Sequence, residues 1–212
     1  MLSPNELLYY DRGYFLTNLP NSILSLLWKE IYTTEWISDT AERIYTQVPS
    51  WYQSDLLKDI DTSGKHRKDF ERQIGKEITE KAPASFINIA KELVTTDRFD
   101  FFNNYYTDNQ VLYVDLWNGS EEIPYHFDTI NGADTLVLIY LTDEPEWNDN
   151  WGGQISLKKQ VGDVIITEDT YNPTNGTMLV INNNNPLVTH RVRAMADKSI
   201  NRYTVSFNYK WK

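Results

Sequence analysis

The chain has 212 residues, of which 41% are hydrophobic and 24% are charged, a composition typical of one soluble globular domain. It contains no cysteine, which excludes disulfides, thiolate metal sites and cysteine nucleophiles. The formal net charge of −10 argues against general binding to nucleic acid or to anionic membranes, because such a surface repels phosphate groups.

The longest apolar run, residues 136–141, is far shorter than the roughly 20 residues that cross a bilayer. No basic and apolar leader opens the sequence, so no signal peptide is expected. These features predict a soluble cytoplasmic protein with no membrane partner.

The first hundred residues predict mainly helices. Apolar residues recur at helical spacing after Pro20, over 23–31, and after Pro83, over 86–94. A charged stretch at 69–81 carries apolar residues at four-residue spacing, and a shorter segment runs from Asp39 to Val48. We therefore expect a single domain, 1–212, in which residues 1–98 are mainly helical and support the rest.

From residue 99 onward the pattern changes to short apolar or alternating runs. Turn signals such as Asn-Gly at 131–132 and Gly-Gly at 152–153 separate them. Several short strands at this spacing are typical of a β-sandwich or barrel rather than of alternating βαβ units. The predicted strands are 111–117, 135–141, 154–157, 164–167, 177–182, 190–194 and 202–211.

One of the three histidines lies in a pattern that suits a metal. His126 and Asp128 are two positions apart, so on an extended strand an imidazole and a carboxylate project from the same face. Such a pair supplies two ligands of the two-histidine, one-carboxylate site that holds non-haem Fe(II). With 30 acidic residues in the chain, the spacing also arises readily by chance, and a hydrogen-bonded strand histidine is the competing interpretation.

Five blocks of sequence follow one another in the order and spacing of a known family. They are YHFD at 125–128, LIYLT at 138–142, WGGQISL at 151–157, PLVTHRV at 186–192 and RYTVSF at 202–207. Over residues 105–212 the chain resembles the Fe(II)/2-oxoglutarate-dependent dioxygenase superfamily, especially its prolyl 4-hydroxylase-like branch. The resemblance implies an α+β fold with a double-stranded β-helix (jelly-roll) core at 99–212 and an N-terminal layer of supporting helices.

The resemblance implies three iron ligands, His126, Asp128 and His190. They would leave coordination positions for the cosubstrate 2-oxoglutarate and for O2, and ascorbate is expected to support turnover. The carboxylate at Asp128 implies hydroxylation, because halogenating relatives carry a small residue in its place.

Three further residues are implied for 2-oxoglutarate. Arg202 corresponds to the basic residue that pairs with the distal carboxylate, and a guanidinium suits this role because its fork bonds a carboxylate bidentately. Tyr140 stands at the place of a tyrosine that bonds the same carboxylate, and Thr204 would add a hydroxyl donor. Without the resemblance, Arg202 would be interpreted as a surface charge and Tyr140 as a core residue. The sequence departs from the branch in two places: Arg202 follows His190 by twelve positions, slightly more than is common, and Leu116 stands where a tyrosine is common.

The resemblance implies hydroxylation of an unactivated C–H bond with release of succinate and CO2. Proline, or a prolyl residue in a peptide or protein, is the leading substrate, so the expected partner is a small molecule or a peptide. Trp147 and Trp151 lie in an acidic, tryptophan-rich loop and would suit stacking on a pyrrolidine ring, although both residues would equally suit packing. A dioxygenase acting on another amino acid or small molecule is an alternative.

Two alternatives come from other classes of protein. One is a non-enzymatic, lectin-like β-sandwich binding module, which aromatic and Asn/Asp-rich loops would suit. The other is a metal-binding barrel of different activity, such as a cupin-type isomerase or a zinc hydrolase. Cupin sites usually use more histidines than the three present here, and a zinc hydrolase does not need Arg202 and Tyr140 to face a dicarboxylate.

Overall fold

The computed structural model of the chain describes residues 3–38, 47–52, 77–96, 106–117, 121–126 and 134–211. The helices are α1 (Pro4–Leu7), a π-helical turn (Leu8–Arg12), α2 (Asn21–Thr33) and α3 (Ala84–Leu93), with a further helical stretch at 77–81. The strands are β1 (Tyr14–Asn18), β2 (Trp36–Ser38), β3 (Gln47–Pro49), β4 (Tyr106–Trp117), β5 (Ile123–His126), β6 (Thr135–Thr142), β7 (Ile155–Val161), β8 (Val164–Tyr171), β9 (Thr177–Asn182), β10 (Val188–Val192) and β11 (Arg202–Trp211).

The strands in this part of the chain form two antiparallel sheets. The larger has the order β1-β9-β6-β11-β4-β3-β2 and the smaller has the order β5-β10-β7-β8. Strands that are distant in sequence, such as β6 and β11, are neighbours because successive connections cross from one sheet to the other. This is the arrangement of a jelly roll, and the predicted α+β class with a jelly-roll core is confirmed.

The helices cover the outer face of the larger sheet. Helix α2 buries Ile23, Leu27 and Ile31, which are spaced by four residues and so lie on one side of the helix. They pack with the buried side of α3 and with alternate residues of the larger sheet. The helices predicted after Pro20 and Pro83 are therefore both present. No helix in the described ranges is long and apolar enough to cross a membrane.

Strand β6 is buried along its whole length because it packs on both faces. Residues 137, 139 and 141 face the helices. Residues 136, 138 and 140 pack instead with Ile155, Leu157 and Val188 of the smaller sheet. The space between the two sheets, which we call the interior, is thus lined by the even-numbered residues of β6 and by the inward residues of β7 and β10.

Some strands differ from the prediction. Strand β5 was not predicted. It contains Pro124, which has no N–H to donate to a neighbouring strand. The proline is tolerated because β5 is an edge strand of the smaller sheet. Strand β1 lies within the stretch expected to be mainly helical and pairs with β9 in the larger sheet. Of the predicted segments 39–48 and 69–81, residues 39–46 and 69–76 lie outside the described residues, whereas 47–48 begin β3 and 77–81 are helical.

Candidate active site

Two histidines lie side by side on neighbouring strands of the smaller sheet. His126 ends β5, and His190 on β10 is its direct register partner. The centroids of their rings are 4.3 Å apart. His190 is only 5% exposed and shares a strand face with Val188, which packs in the interior. The fold therefore brings together two of the three predicted metal ligands at the interior.

The histidine pair fits a metal ion. Imidazole nitrogens bind first-row metal ions at about 2.1 Å, and the ring separation allows both rings to reach one ion. His126 Nδ1 donates a hydrogen bond to the carbonyl oxygen of Pro124 at 2.8 Å. Because a carbonyl can only accept, Nδ1 carries the hydrogen and Nε2 carries the lone pair of the neutral ring. Bonds of this kind orient metal-binding histidines.

The carboxylate of the predicted ligand set, Asp128, lies outside the described residues. Within the ranges that the structure does describe, no group of three or more histidine, aspartate or glutamate side chains is arranged to hold a metal ion. The carboxylate contribution to the site thus stays a prediction.

A second group of predicted residues meets on the larger sheet. Thr204 on β11 lies directly opposite Tyr140 on β6, and the guanidinium carbon of Arg202 is 4.8 Å from the centroid of the Tyr140 ring. All three residues are buried, Arg202 to 3% exposure. A buried guanidinium is costly unless its charge is compensated, and a carboxylate is the anion that its fork matches best. Tyr140 belongs to the apolar cluster that fills the interior, so this group faces the same space as His190.

Gly153 allows Met195 to lie close to the chain before β7, and Arg202 packs beside it. Its φ is +70°, and a Cβ atom there would lie 2.4 Å from Met195 Sδ and 3.4 Å from Arg202 Cδ. A side chain at this position would therefore clash and would strain the backbone. The second glycine of the WGG block is explained by this close approach.

The two tryptophans proposed to contact substrate pack against each other. Their rings meet edge to face, with centroids 5.5 Å apart. Trp147 is buried, and its indole N–H donates to the carbonyl oxygen of Gly152 at 3.1 Å. Trp151 is partly exposed at the edge of the same cluster, so its ring is the more accessible of the two.

A polar cluster joins the edge strands of the two sheets. Arg12 and Tyr14 both donate hydrogen bonds to Asp169 on β8, and the Arg12 guanidinium lies 4.7 Å from the centroid of the Tyr14 ring. Burial alone would raise the pKa of Asp169, but the hydrogen bonds from Tyr14 and Arg12 outweigh burial and lower it. Burial, together with the bond to Asp169, raises the pKa of Tyr14 to about 12.

Two inward-facing residues of β11 escaped the sequence analysis. Ser206 and Asn208 alternate with large apolar residues in the run 202–209, a pattern that normally marks a polar face in solvent. Both are buried, because β11 packs against the helices on one face and against the smaller sheet on the other. The signal that could have identified them is their spacing of two residues along β11 from Arg202 and Thr204, which places all four side chains on one face.

Comparison with known proteins agrees with this geometry. Residues 110–210 match the family model of the 2OG-Fe(II) oxygenase superfamily. No curated protein matches the chain significantly.

Two of the solved structures that share the fold are described as prolyl hydroxylases. One is a prolyl hydroxylase from Trichoplax adhaerens in complex with a peptide fragment of the hypoxia inducible factor oxygen degradation domain. The two chains are 17% identical, the alignment covers 96% of this chain and 86% of that chain, and the TM-score is 0.53. The other is described with the prolyl 4-hydroxylases of Phytophthora capsici, with 15% identity, 96% and 60% of the chains covered, and a TM-score of 0.53. The match over residues 110–210 supports a 2-oxoglutarate-dependent oxygenase, and the chain has the fold of the prolyl hydroxylases.

Proposed function

We propose that the protein hydroxylates an unactivated C–H bond of proline, or of a prolyl residue in a peptide, and converts 2-oxoglutarate and O2 to succinate and CO2. One observation carries the proposal. A pair of histidines in register on one sheet and a buried arginine, tyrosine and threonine on the facing sheet border the same interior.

His126, His190 and Asp128 would hold Fe(II) in this proposal. Bound Fe(II), with 2-oxoglutarate and O2, supplies the oxidising power for the C–H bond. The chain itself keeps the two imidazoles in one orientation. The Pro124 carbonyl fixes the hydrogen of His126 on Nδ1, and the ladder of β10 between β5 and β7 holds the His190 backbone.

Arg202, Tyr140 and Thr204 would bind the distal carboxylate of 2-oxoglutarate. Arg202 pairs with it through two N–H groups, and the hydroxyls of Tyr140 and Thr204 can each donate one more hydrogen bond. Because all three residues are buried, water is excluded and the ionic contact is stronger than it would be at the surface. These residues would hold the distal end of the cosubstrate in the interior that the histidine pair also borders.

The choice of proline rests on the fold shared with prolyl hydroxylases. The peptide in complex with the Trichoplax adhaerens protein supports a peptide as one form of the substrate. Trp151, and Trp147 behind it, remain the candidates for contact with a pyrrolidine ring. We also propose that ascorbate supports turnover and that residues 1–212 act as one domain, in which the helices of 1–98 support the jelly roll.

A substrate screen tests this function. Purified protein with Fe(II), ascorbate and 2-oxoglutarate is incubated with L-proline, prolyl peptides and the other amino acids, and products are analysed by mass spectrometry. We expect a gain of one oxygen atom on a proline-containing compound, only when 2-oxoglutarate is present. Oxygen addition confined to a compound without proline would overturn the choice of proline and leave the dioxygenase chemistry in place.

A further inference from the structure

The polar residues on the inner face of β11 continue beyond those assigned to 2-oxoglutarate. After Arg202 and Thr204 the same face carries Ser206 and Asn208, and Asn208 is only 1% exposed. The register partner of Asn208 on β6 is Leu136, a member of the apolar cluster of the interior. A polar residue is therefore buried at a position where its neighbour is apolar.

The side chain of Asn208 has an acceptor that no described residue uses. Its Oδ1 is buried and accepts no hydrogen bond from any residue that the structure describes. Buried amides nearly always have a partner, because a bare carbonyl in the interior costs stability. By contrast, the buried amide of Asn182 on β9 is used by the chain itself, since its Oδ1 accepts from the backbone N–H of Asn184 at 3.0 Å.

Two rows of register partners show what Asn208 faces. The row across the smaller sheet is Asp169, Leu157, His190 and His126. The row across the larger sheet is Tyr14, Ile181, Leu136 and Asn208. The first residues of the two rows are in contact, because Tyr14 donates a hydrogen bond to Asp169. Packed sheets keep their strands roughly aligned, so the rows run the same way and Asn208 lies across the interior from the histidine pair.

Arg202 and Asn208 lie at opposite ends of this inner face. They are separated by six positions of β11, or about 20 Å of extended strand, and Arg202 lies beside Gly153, before the start of β7. The 2-oxoglutarate group is therefore displaced along the strands from the level of the histidine row, whereas Asn208 lies at that level. A group that contacts Asn208 therefore lies close to the histidine pair and apart from the residues proposed for the distal carboxylate.

We propose that Asn208 is a substrate-binding residue whose side-chain carbonyl accepts a hydrogen bond from the ammonium group of a free amino acid, L-proline being the first candidate. The inference rests on the proposed function and narrows its substrate. A prolyl residue inside a peptide has no N–H, whereas the secondary ammonium of L-proline has two. The depth of Asn208 also favours a small molecule that enters the interior over a polypeptide that lies along the surface.

Calorimetric titration of L-proline into the protein loaded with Fe(II) and 2-oxoglutarate, under anaerobic conditions, tests the inference without turnover. Asn208→Leu is expected to weaken L-proline binding by about tenfold or more and to leave the Kd for 2-oxoglutarate within about twofold of wild type. Asn208→Asp keeps an acceptor and is expected to retain L-proline binding. The control Ser156→Ala removes a buried hydroxyl that is bonded to Thr170 and is expected to change neither affinity.

The Tm without substrate separates a binding role from a structural one. If Asn208 serves the substrate, Asn208→Leu keeps or raises the Tm because an unpaired polar group is removed; if Asn208 stabilises the fold, the Tm falls. A lowered Tm with unchanged L-proline affinity would overturn the inference, and so would a wild type that binds 2-oxoglutarate but not L-proline. A wild type that does not bind 2-oxoglutarate would overturn the proposed function itself.

Discussion

Arg202 is the residue on which the proposed binding of the cosubstrate depends most. Its guanidinium is buried beside the face of Tyr140, so its charge has little water to compensate it and a carboxylate is the natural counterion. A lysine would supply the charge without the planar fork. The contribution of Arg202 therefore comes from geometry as well as from electrostatics.

Arg202→Ala is expected to raise the Kd for 2-oxoglutarate by at least about tenfold, because a charge-assisted bidentate contact is lost. Metal binding is expected to be unchanged, since the histidines are on the other sheet. Both affinities can be measured by anaerobic titration. Arg193→Ala is the matched control because Arg193 is an exposed arginine that directly follows β10. A Kd for 2-oxoglutarate equal to that of wild type would remove Arg202 from this role.

At the scale of elements, local patterns predicted most of the core strands. Strands β9 and β11 have the bounds that their apolar runs predicted, and β6 differs by one residue. Strand β5 was missed because it has four residues and one of them is Pro124. The face of β11 was harder to predict, because alternation shows which residues share a face but not what the second face packs against. The burial of Ser206 and Asn208 depends on the smaller sheet, which is assembled from distant parts of the chain.

The edges of the two sheets are joined by the Arg12, Tyr14 and Asp169 cluster, and this contact gives stability a dependence on pH. The pKa of Asp169 is lower in the folded chain than its ordinary value of 3.8, so the folded state binds this proton more weakly than the unfolded state does. The stabilisation is therefore complete above the ordinary pKa and is lost as the pH falls through the lower folded value.

Asp169→Asn is expected to lower the free energy of unfolding at pH 7 by about 1 kcal/mol and to flatten its decline below the ordinary pKa of aspartate. Urea unfolding at a series of pH values measures both effects. Asp163→Asn, at an exposed position in the turn before β8, serves as the control and is expected to resemble wild type. If the free energy of unfolding declined equally with falling pH in wild type and in Asp169→Asn, the result would contradict the assignment of this pH dependence to Asp169.

At the scale of the whole molecule, the proposed active site consists of residues that are distant in sequence. His126, Tyr140, His190 and Arg202 lie on four different strands. Local periodicity could not bring them together, because pairing between strands that are far apart in the chain leaves no local signal. The family resemblance identified these residues, whereas the direct register of His126 with His190 and the stacking of Arg202 on Tyr140 came only from the fold.

The most direct test of the account is the conversion of 2-oxoglutarate to succinate by the purified protein with Fe(II), O2 and ascorbate and with no added substrate. The account predicts slow succinate formation by wild type and none above the enzyme-free background in His126→Ala and Asp128→Ala, because each variant removes one ligand of the metal. Succinate formation at the wild-type rate in either variant would contradict the metal site on which the account depends.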